Sequence, residues 1–442
     1  MTNSTLLIFL FCAPILWAQH QIHATFSPKE DFDTAILYKI TTQNLIYTAH
    51  AKMDTEGQFH IPLDSTVTAG MYRLVYALPQ EVYNFDLLYN GKEDIDLKFN
   101  QDTGVEYIVS EENKVLNEYY RAMTEIGQNI GLAYRQKPLD SVALLQLFDT
   151  QKTTQAQFEK KSQNLLAHEF IRANKRYVPK HVDSLDRYIS KVQAYYFTAV
   201  DFKSPLLQSS DFFGEHAINY VFGFGGNSQQ TEDALKENID SLQKTIKNNA
   251  PEEMYYEIFK VLRLQMIEAN YEQLALYISK QILMPMAVAF NDIEGIQAMR
   301  DFERTALGAL APNFHLEEKL AGKHTKTLHD LKGSSSYVLV FWSSSCSHCV
   351  DELPVIHQWL NQTSNKTITV VAVGLEDEAY TWNRMKYDMP NFTHVLALGK
   401  WEHPIVPEYN ISATPHYLVL DKDKVIVAKP QNLEELQPFI QK

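Results

Sequence analysis

The sequence predicts a multidomain protein with a small all-β sandwich-like domain, a mostly α-helical region and a C-terminal α/β domain. Short alternating strands separated by turn residues fill the first part of the chain. Apolar residues at helical spacing run through the middle, and strand, helix, strand and hairpin follow one another at the end. At roughly 150 residues per domain, a chain of 442 residues corresponds to two or three domains.

Residues 1–18 are predicted to be a signal peptide. The apolar run from Leu6 to Ala18 is too short to span a bilayer comfortably, and it ends on a small residue. The start "MTNST" has no Lys or Arg, so a buried strand or an uncleaved anchor is the alternative. Large residues before Cys12 argue against lipid attachment there. The sequence therefore predicts an exported protein, periplasmic or otherwise extracytoplasmic.

Charge and hydropathy argue against nucleic-acid binding and against a membrane-spanning segment. The formal charge is −14, and acidic and basic residues are mixed along the chain without a basic run or a basic-aromatic stripe. No nucleic-acid partner is therefore expected. After the first segment no apolar run reaches the ~18 residues of a membrane-spanning helix, so no transmembrane segment is predicted in the mature chain.

Residues 21–105 are predicted to form the small β-sandwich-like domain. Alternating apolar and polar residues, with many aromatic and β-branched side chains, favour strands, and Glu56-Gly57 and Asn90-Gly91 are turn signals. No catalytic constellation is present, so a structural or partner-binding role is expected. The predicted strands are "TAILYKI", "LIYTAHAKM", "GQFHIPL", "MYRLVYAL", "YNFDLLYN" and "DIDLKF".

Residues 111–307 are predicted to be helical. Two long stretches have apolar residues at helical spacing. The later one follows Pro251, where the proline and the two glutamates after it make a good helix start. Apolar stripes of this kind are nearly always packing faces, and we interpret them as core. In the first helix the stripe consists of Val115, Tyr119, Met123, Ile126 and Ile130.

Residues 311–442 are predicted to form the α/β domain. "YVLVFW" is a continuous apolar strand, "DELPVIHQWLNQ" is helical, and "TITVVAVGL" is a second buried strand. "PHYLVLDKDKVIVAK" follows as a hairpin.

Two of the three cysteines, Cys346 and Cys349, form a C-x-x-C pair between the first of these strands and the helix. A cysteine at a helix N-terminus is favoured as a thiolate, because unpaired backbone N–H groups and the helix dipole stabilise negative charge. The thiolate is the form that attacks disulfides. The pattern predicts Cys346 as nucleophile, Cys349 as resolving thiol, and a redox disulfide between them.

Other interpretations of the pair are weaker. A structural zinc site needs four ligands, and no second cysteine pair or suitably spaced histidines accompany this one, so no metal is predicted. An inert disulfide would close a very short loop and stabilise little. No cofactor is required for thiol-disulfide exchange.

His348 lies between the two cysteines. An imidazole there is predicted to stabilise the Cys346 thiolate and so to raise the oxidising power of the disulfide. A plain exposed surface histidine is the alternative.

The third region resembles the TlpA/ResA-like branch of the thioredoxin superfamily. The match covers about 130 residues: an "APNF" start, a Gly-Lys turn, a strand ending in Phe-Trp, then C-x-x-C and "DELP". The resemblance implies a thioredoxin fold, a proton-handling role for Glu352 and a helix kink at Pro354. It also implies that Pro415, preceded by Thr414, is cis and faces the cysteines, where the exposed backbone can pair with a substrate strand.

Two positions depart from the patterns of related proteins. Ser345 stands where the branch usually has Trp, and Val340 stands where cytoplasmic thioredoxins keep a buried Asp. Glu352 is therefore the best proton acceptor for Cys349, provided that burial raises its pKa; a solvated helix glutamate is the alternative. Trp342 has the context of a packing residue, and it is also taken with Thr414 and Pro415 as a candidate substrate contact.

The predicted function is an exported thiol-disulfide oxidoreductase that acts on protein thiols and disulfides and exchanges electrons with a redox partner of the cell envelope. The first two regions resemble the N-terminal part of multidomain TlpA-like proteins, which implies no catalytic residues. A thiol-dependent peroxidase of the peroxiredoxin type is the second possibility, although the "SSSC" sequence lacks its Thr and Pro. An envelope partner-binding protein with secondary redox activity is the third.

Overall fold

The computed structural model describes residues 20–41, 44–80, 82–224, 231–316, 326–362 and 368–441. The predicted signal peptide, with Cys12, lies outside the described residues. The chain folds into two compact units, one up to Ile258 and one from Phe259 onward.

Two four-stranded sheets open the first unit, with strand orders β4-β1-β7-β8 and β3-β2-β5-β6. Side chains of both sheets share one core, which is the sandwich-like arrangement that the sequence predicts. The strands are β1 (His20–Ser27), β2 (Thr34–Ile40), β3 (Leu45–Lys52), β4 (Gln58–Leu63), β5 (Gly70–Val75), β6 (Asn84–Tyr89), β7 (Ile95–Asn100) and β8 (Gly104–Val109).

Strands β1 and β8 were not among the predicted strands. Ile22, Ala24 and Phe26 alternate along β1, and each is buried. β1 pairs with β4 antiparallel and with β7 parallel, so it lies in the middle of its sheet. The two added strands complete the sheet whose other members the sequence already indicates.

Helices continue the first unit. Ser110 caps α1 by accepting a hydrogen bond from the Asn113 N–H, and the Asn113 amide bonds in turn to the N–H and C=O of Leu88 on β6. This buried amide fixes the first helix against the neighbouring sheet. The helices are α1 (Glu111–Arg135), α2 (Ser141–Lys161), α3 (Ala167–Ala173), α4 (Leu185–Tyr195), α5 (Pro205–Gln208), α6 (Phe212–Gly223) and α7 (Glu232–Ile246).

The division between the two units falls within the next helix, α8 (Glu252–Glu268). The second unit continues with α9 (Glu272–Ile278), a π-helical turn, α10 (Met284–Phe290) and α11 (Ile293–Arg304). By length and composition alone, the stretch Glu272–Phe290 could cross a membrane, and 44% of its most apolar 18-residue window is buried within the protein. The two compact units divide at residue 258, which is not one of the predicted domain boundaries. The boundaries near residues 105–111 and 307–311 remain predictions.

A five-stranded mixed sheet forms the centre of the second unit, with strand order β11-β10-β9-β12-β13. β9 pairs in parallel with β10 and antiparallel with β12, which is the thioredoxin arrangement expected from the sequence. The elements are β9 (Ser336–Trp342), α12 (Ser347–Gln362), β10 (Ile368–Glu376), α13 (Ala379–Lys386), β11 (Thr393–Leu398), α14 (Ile405–Glu408), β12 (His416–Asp421), β13 (Ile426–Ala428) and α15 (Leu433–Ile440).

The continuous apolar character of β9 follows from burial on both faces of the sheet. Val338, Val340 and Trp342 pack into one core with α12, whereas Leu339 and Phe341 pack into a second core on the opposite face. A central strand covered on both faces places the residues that follow it on a rigid support.

The segment before the sheet continues it at the β13 edge. The Gly308 N–H donates to the Ile426 carbonyl at 2.8 Å, and the Ile426 N–H donates to the Ala309 carbonyl at 2.9 Å. The Lys429 ammonium also pairs with the Glu272 carboxylate of α9, and both side chains are largely shielded from solvent. The helices from α9 to α11 are therefore tied to the sheet within one unit.

Candidate active site

The cysteine pair lies where β9 ends and α12 begins. The Cys346 N–H donates to the Ser343 carbonyl at 3.1 Å, and the Val350 N–H donates to the Cys346 carbonyl at 3.1 Å. Cys346 is thus the residue that precedes the first turn of α12, and Cys349 lies within that turn. The predicted position of the pair at a strand-to-helix junction is confirmed.

The two sulfur atoms have opposite environments. Cys346 is half-buried, whereas Cys349 is fully buried. Burial raises the pKa of the Cys346 thiol, but hydrogen bonds from the Cys349 side chain and backbone, from Thr414 and from the His348 backbone outweigh it, so the net pKa is lowered. Burial, together with the Cys346 side chain, raises the pKa of Cys349 to about 12. The accessible sulfur is therefore the one that ionises first.

Two contacts fix the Cys346 sulfur. The Cys349 N–H donates to Sγ at 3.3 Å, and the Sγ thiol donates to the Thr414 carbonyl at 3.3 Å. A backbone N–H aimed at the sulfur is the contact that a thiolate needs at a helix N-terminus.

The loop before β12 faces this sulfur. The peptide bond between Thr414 and Pro415 is cis, as the family resemblance implies. Both residues are half-buried, so part of their surface is open to solvent beside Cys346.

Glu352 lies in α12, one turn beyond Cys349, and is half-buried. Its carboxylate accepts a hydrogen bond from the Tyr417 hydroxyl at 2.5 Å. Tyr417 is buried on β12 and belongs to the same core as Cys349. Burial raises the pKa of Tyr417, and Glu352, Cys349 and Cys346 raise it further, so the phenol stays a neutral donor.

A second carboxylate holds the loop before the cysteines. Glu376 ends β10, is 5% exposed, and accepts hydrogen bonds from the Ser344 N–H at 2.5 Å and the Ser344 hydroxyl at 2.9 Å. This buried acceptor fixes the backbone two residues ahead of the nucleophile.

A cation lies beside the residue that replaces the usual Trp. The Lys400 ammonium donates to the Ser345 hydroxyl at 3.2 Å and lies 3.6 Å from the Asp377 carboxylate, which is largely exposed. The surface next to Cys346 is therefore small, polar and positively charged on one side.

Three other residues that the sequence predicts for the site are His348, Pro354 and Trp342. The His348 side chain is exposed on the first turn of α12, and Pro354 lies inside the same helix. Trp342 is fully buried at the end of β9. A fully buried indole cannot touch a substrate, so the assignment of Trp342 as a substrate contact is wrong and its role is packing.

Sequence reasoning missed Tyr417, Glu376 and Lys400. Their contacts with the site depend on strand pairings across 32 to 65 residues. An acidic residue at the end of the apolar run "TITVVAVGL" was the available signal for Glu376. Within the described ranges no group of three His, Cys, Asp or Glu side chains is placed to hold a metal ion.

Comparison with known proteins identifies the family. A family model described as Redoxin matches residues 306–435. The thiol-disulfide oxidoreductase ResA of a Bacillus cereus strain is 30% identical over 161 residues, which make up 35% of this chain and 88% of that protein. The chain belongs to the ResA-like thiol-disulfide oxidoreductases. The predicted TlpA/ResA-like membership of the thioredoxin superfamily, the fold class and the enzyme class are thereby confirmed.

Two solved structures are similar to a part of the chain. The thioredoxin domain of a thiol-disulfide oxidoreductase from Bacteroides vulgatus is 26% identical, with a TM-score of 0.26, over 30% of this chain and 98% of that one. A domain of a possible thiol-disulfide isomerase from Cytophaga hutchinsonii is 32% identical, with a TM-score of 0.25, over 30% of this chain and 89% of that one.

Proposed function

We propose that this oxidoreductase is exported and exchanges disulfides with protein thiols through Cys346 and Cys349. One observation carries the proposal: the two sulfurs differ in both burial and acidity. Cys346 is accessible and has a lowered pKa, whereas Cys349 is buried and its pKa is about 12. An attacking thiol must be accessible and ionised, and a resolving thiol must be protected until the attack has taken place.

The reaction has two steps. The Cys346 thiolate attacks one sulfur of a substrate disulfide; a new S–S bond forms, the old one breaks, and the leaving thiolate takes a proton. Cys349 then loses its proton and attacks Cys346, which releases the second substrate thiol and leaves the Cys346–Cys349 disulfide. Two electrons pass from the pair to the substrate. A redox partner of the envelope then returns two electrons to the cysteine pair. The same steps in reverse order would donate a disulfide to a substrate.

Glu352 is the proposed proton acceptor for Cys349. Cys349 ionises last, so its attack depends on a base that removes its proton. The Glu352 carboxylate is one helical turn away and is oriented by the Tyr417 hydroxyl.

The Thr414-Pro415 loop is the proposed substrate-binding element. The Thr414 carbonyl accepts a hydrogen bond from the Cys346 thiol and lies on the half-buried loop that faces this sulfur. An extended substrate segment beside this loop would present its disulfide to Cys346 by backbone pairing. His348 is proposed to tune the potential of the pair from the exposed side, and Pro354 to shape α12.

Trapping tests this mechanism. In the Cys349→Ser variant the second step cannot occur, so a mixed disulfide between Cys346 and the substrate should accumulate and be visible on a non-reducing gel. The Cys346→Ser variant is the matched control and should trap nothing. Equal trapping by both variants, or by neither, would contradict the assigned roles.

Export is tested on the same protein. N-terminal sequencing of the exported chain should begin just after Ala18, within a few residues of the apolar run. Recovery of the protein in the cytoplasm with Met1 intact would contradict export.

A further inference from the structure

The first unit contains a cavity that the redox chemistry does not use. Its volume is about 650 Å³, and it lies between α1, α4, α6 and the segment after α3. Pockets of a few hundred to about 1,000 Å³ are the size that holds small organic ligands.

Glycines keep the cavity open. At Gly131, which faces it from α1, an added Cβ would meet no atom within 4 Å, and the same holds at Gly223 on α6. At Gly127, one turn before Gly131, an added Cβ would lie 2.6 Å from Nη1 of Arg176. Glycine on this face of α1 therefore makes room both for the cavity and for the guanidinium.

Arg176 brings a positive charge to the cavity. Its Nη1 donates to the Met123 carbonyl at 2.9 Å, which fixes the guanidinium without neutralising it. The neighbouring Lys175 is paired with Glu159 at 3.1 Å. In the part of the chain that the structure describes, no carboxylate lies within ion-pair distance of Arg176. Arg176 is also open to solvent, so a ligand can reach it.

Aromatic rings form the walls. Tyr134 and Tyr188 stack with ring centroids 5.3 Å apart, and Tyr196 and His216 lie 4.4 Å apart. Burial lowers the pKa of His216 to about 4, so this imidazole is neutral near pH 7 and adds no charge. The cavity thus combines flat apolar surfaces with one unneutralised guanidinium.

We propose that this cavity binds a small carboxylic acid that carries an aromatic ring, with the carboxylate on Arg176 and the ring among the tyrosines. A guanidinium matches a carboxylate by two parallel hydrogen bonds, and one guanidinium balances one negative charge. Tyrosine faces suit a planar ring, which would replace solvent against them. The site belongs to the first unit and does not depend on the proposed redox mechanism.

Titration of the purified protein with 3-(4-hydroxyphenyl)propionate, followed by calorimetry and by ligand-observed NMR, tests the proposal. The acid should bind, and its uncharged amide should bind at least about tenfold more weakly, because a hydrogen bond to a charged group contributes more than a neutral one. Equal affinity for acid and amide, or no binding of the acid at millimolar concentration, would overturn the proposal.

Variants locate the site. Arg176→Gln should weaken binding of the acid at least about tenfold and should bring acid and amide to similar affinity. Gly131→Leu, whose side chain would enter open space, should weaken both probes while keeping the helical circular dichroism and melting temperature of the wild type. Arg172→Gln is the matched control, since it removes an arginine from neighbouring α3, and it should leave binding unchanged. Unchanged binding in both Arg176→Gln and Gly131→Leu would overturn the proposal even if the acid binds elsewhere.

Discussion

At the scale of a single residue, Tyr417 connects two elements of the active site by one hydrogen bond. Its hydroxyl lies on β12 and donates to the Glu352 carboxylate on α12. A donor to a carboxylate stabilises the charged form and also orients it. Tyr417 is therefore a positioning residue for the proposed base, with no direct contact to substrate required.

The Tyr417→Phe variant tests this role. Phenylalanine keeps the buried ring and removes the donor, so the resolving step should need a higher pH, by roughly one pH unit. The measurement is the pH profile of Cys346–Cys349 disulfide formation from a mixed disulfide. Tyr409→Phe is the control, because Tyr409 is an equally buried tyrosine that donates to the Pro312 carbonyl. An unshifted profile in Tyr417→Phe would show that the hydroxyl serves packing alone.

The acidities of the two thiols predict a pH dependence of alkylation. The pKa of Cys346 is lowered, and that of Cys349 is raised to about 12. The rate of iodoacetamide modification of the reduced protein should therefore rise with pH through a midpoint below the ordinary value of about 8.5, as Cys346 becomes thiolate. Mass spectrometry should find the label on Cys346, with Cys349 unlabelled until about pH 12 or until unfolding. Labelling of Cys349 first would reverse the assigned roles.

Lys400 predicts a preference among substrates. Its ammonium lies beside Ser345, next to the nucleophile, and its partner Asp377 is largely exposed to solvent. The Lys400→Gln variant should reduce a disulfide peptide flanked by Glu about threefold more slowly than the wild type does, since one attraction of about 1 kcal/mol or less in water is lost. Its rate with a Gln-flanked peptide should not change.

Lys422→Gln, which removes an exposed lysine from the β12–β13 turn, is the control for net charge. If it slows the Glu-flanked peptide as much as Lys400→Gln does, the effect is long-range and Lys400 has no special position. Added salt should reduce the preference for the Glu-flanked peptide in the wild type.

Local patterns alone predicted the site only where its residues are neighbours in the chain, and the distant Thr414-Pro415 loop was predicted from the family resemblance. Cys346 immediately precedes α12, Cys349 and Glu352 lie on its first turns, and the pattern of the surrounding strand and helix was sufficient to place them. Tyr417 and Glu376 contact the site through the pairing of β9 with β12 and β10, and no local pattern specifies that pairing. Trp342 was taken both as a packing residue and as a candidate substrate contact, and burial of the strand along nearly its whole length favours packing.

At the scale of elements, Gly374 sets how closely α13 approaches the sheet. A Cβ at this position in β10 would lie 2.4 Å from the indole of Trp382 on α13, so the helix packs where a side chain would otherwise be. Gly374→Ala should lower the free energy of unfolding of the second unit by about 1–3 kcal/mol, because the helix must shift.

Urea unfolding followed by tryptophan fluorescence measures this change. Gly131→Ala serves as the control, since an added Cβ there meets no atom within 4 Å and alanine favours a helix. It should leave stability unchanged or slightly increased. Wild-type stability in Gly374→Ala would mean that α13 accommodates the methyl group without cost.

Elements with one strong period could be predicted from the sequence, and those with weak patterns could not. The α1 stripe has a clear helical period and β9 is an unbroken apolar run, and both elements occur as predicted. β1 starts with His20 and Gln21, has His23 and Thr25 between its buried residues, and directly follows the apolar N-terminal segment in sequence, so its alternation was not recognised. In β8 the exposed residues Ile108 and Val109 are both apolar, which breaks the alternation.

At the scale of the whole molecule, the second compact unit is larger than the redox domain that the sequence predicts. It begins at Phe259, so helices that sequence analysis placed in the middle region belong with the sheet. Glu272 on α9 accepts from the Leu307 N–H and pairs with Lys429 near the end of the chain. Ion pairing across 157 residues is invisible in a local pattern.

Comparison of two fragments tests this extent. A fragment of residues 259–441 should be more stable than one of residues 309–441 by about 2 kcal/mol or more, because the shorter one loses the carboxylate of Glu272 and leaves Lys429 without its partner. Thermal melts followed by circular dichroism measure the difference. Glu272→Gln in the full chain should lower the melting temperature of the second unit in the same direction. Equal stability of the two fragments would place the boundary where the sequence predicts it.

The backbone of residues 308–311 has one further effect, on solubility. It occupies hydrogen-bonding groups of β13, the outermost strand of its sheet, through Ile426 and through the Ala311 N–H to the Lys424 carbonyl. Unpaired outer strands are templates on which other chains assemble. These four residues thus also cover the edge of the sheet against aggregation, and shortened versions of the enzyme that begin after residue 311 should form oligomers and precipitate at concentrations where the whole chain stays in solution.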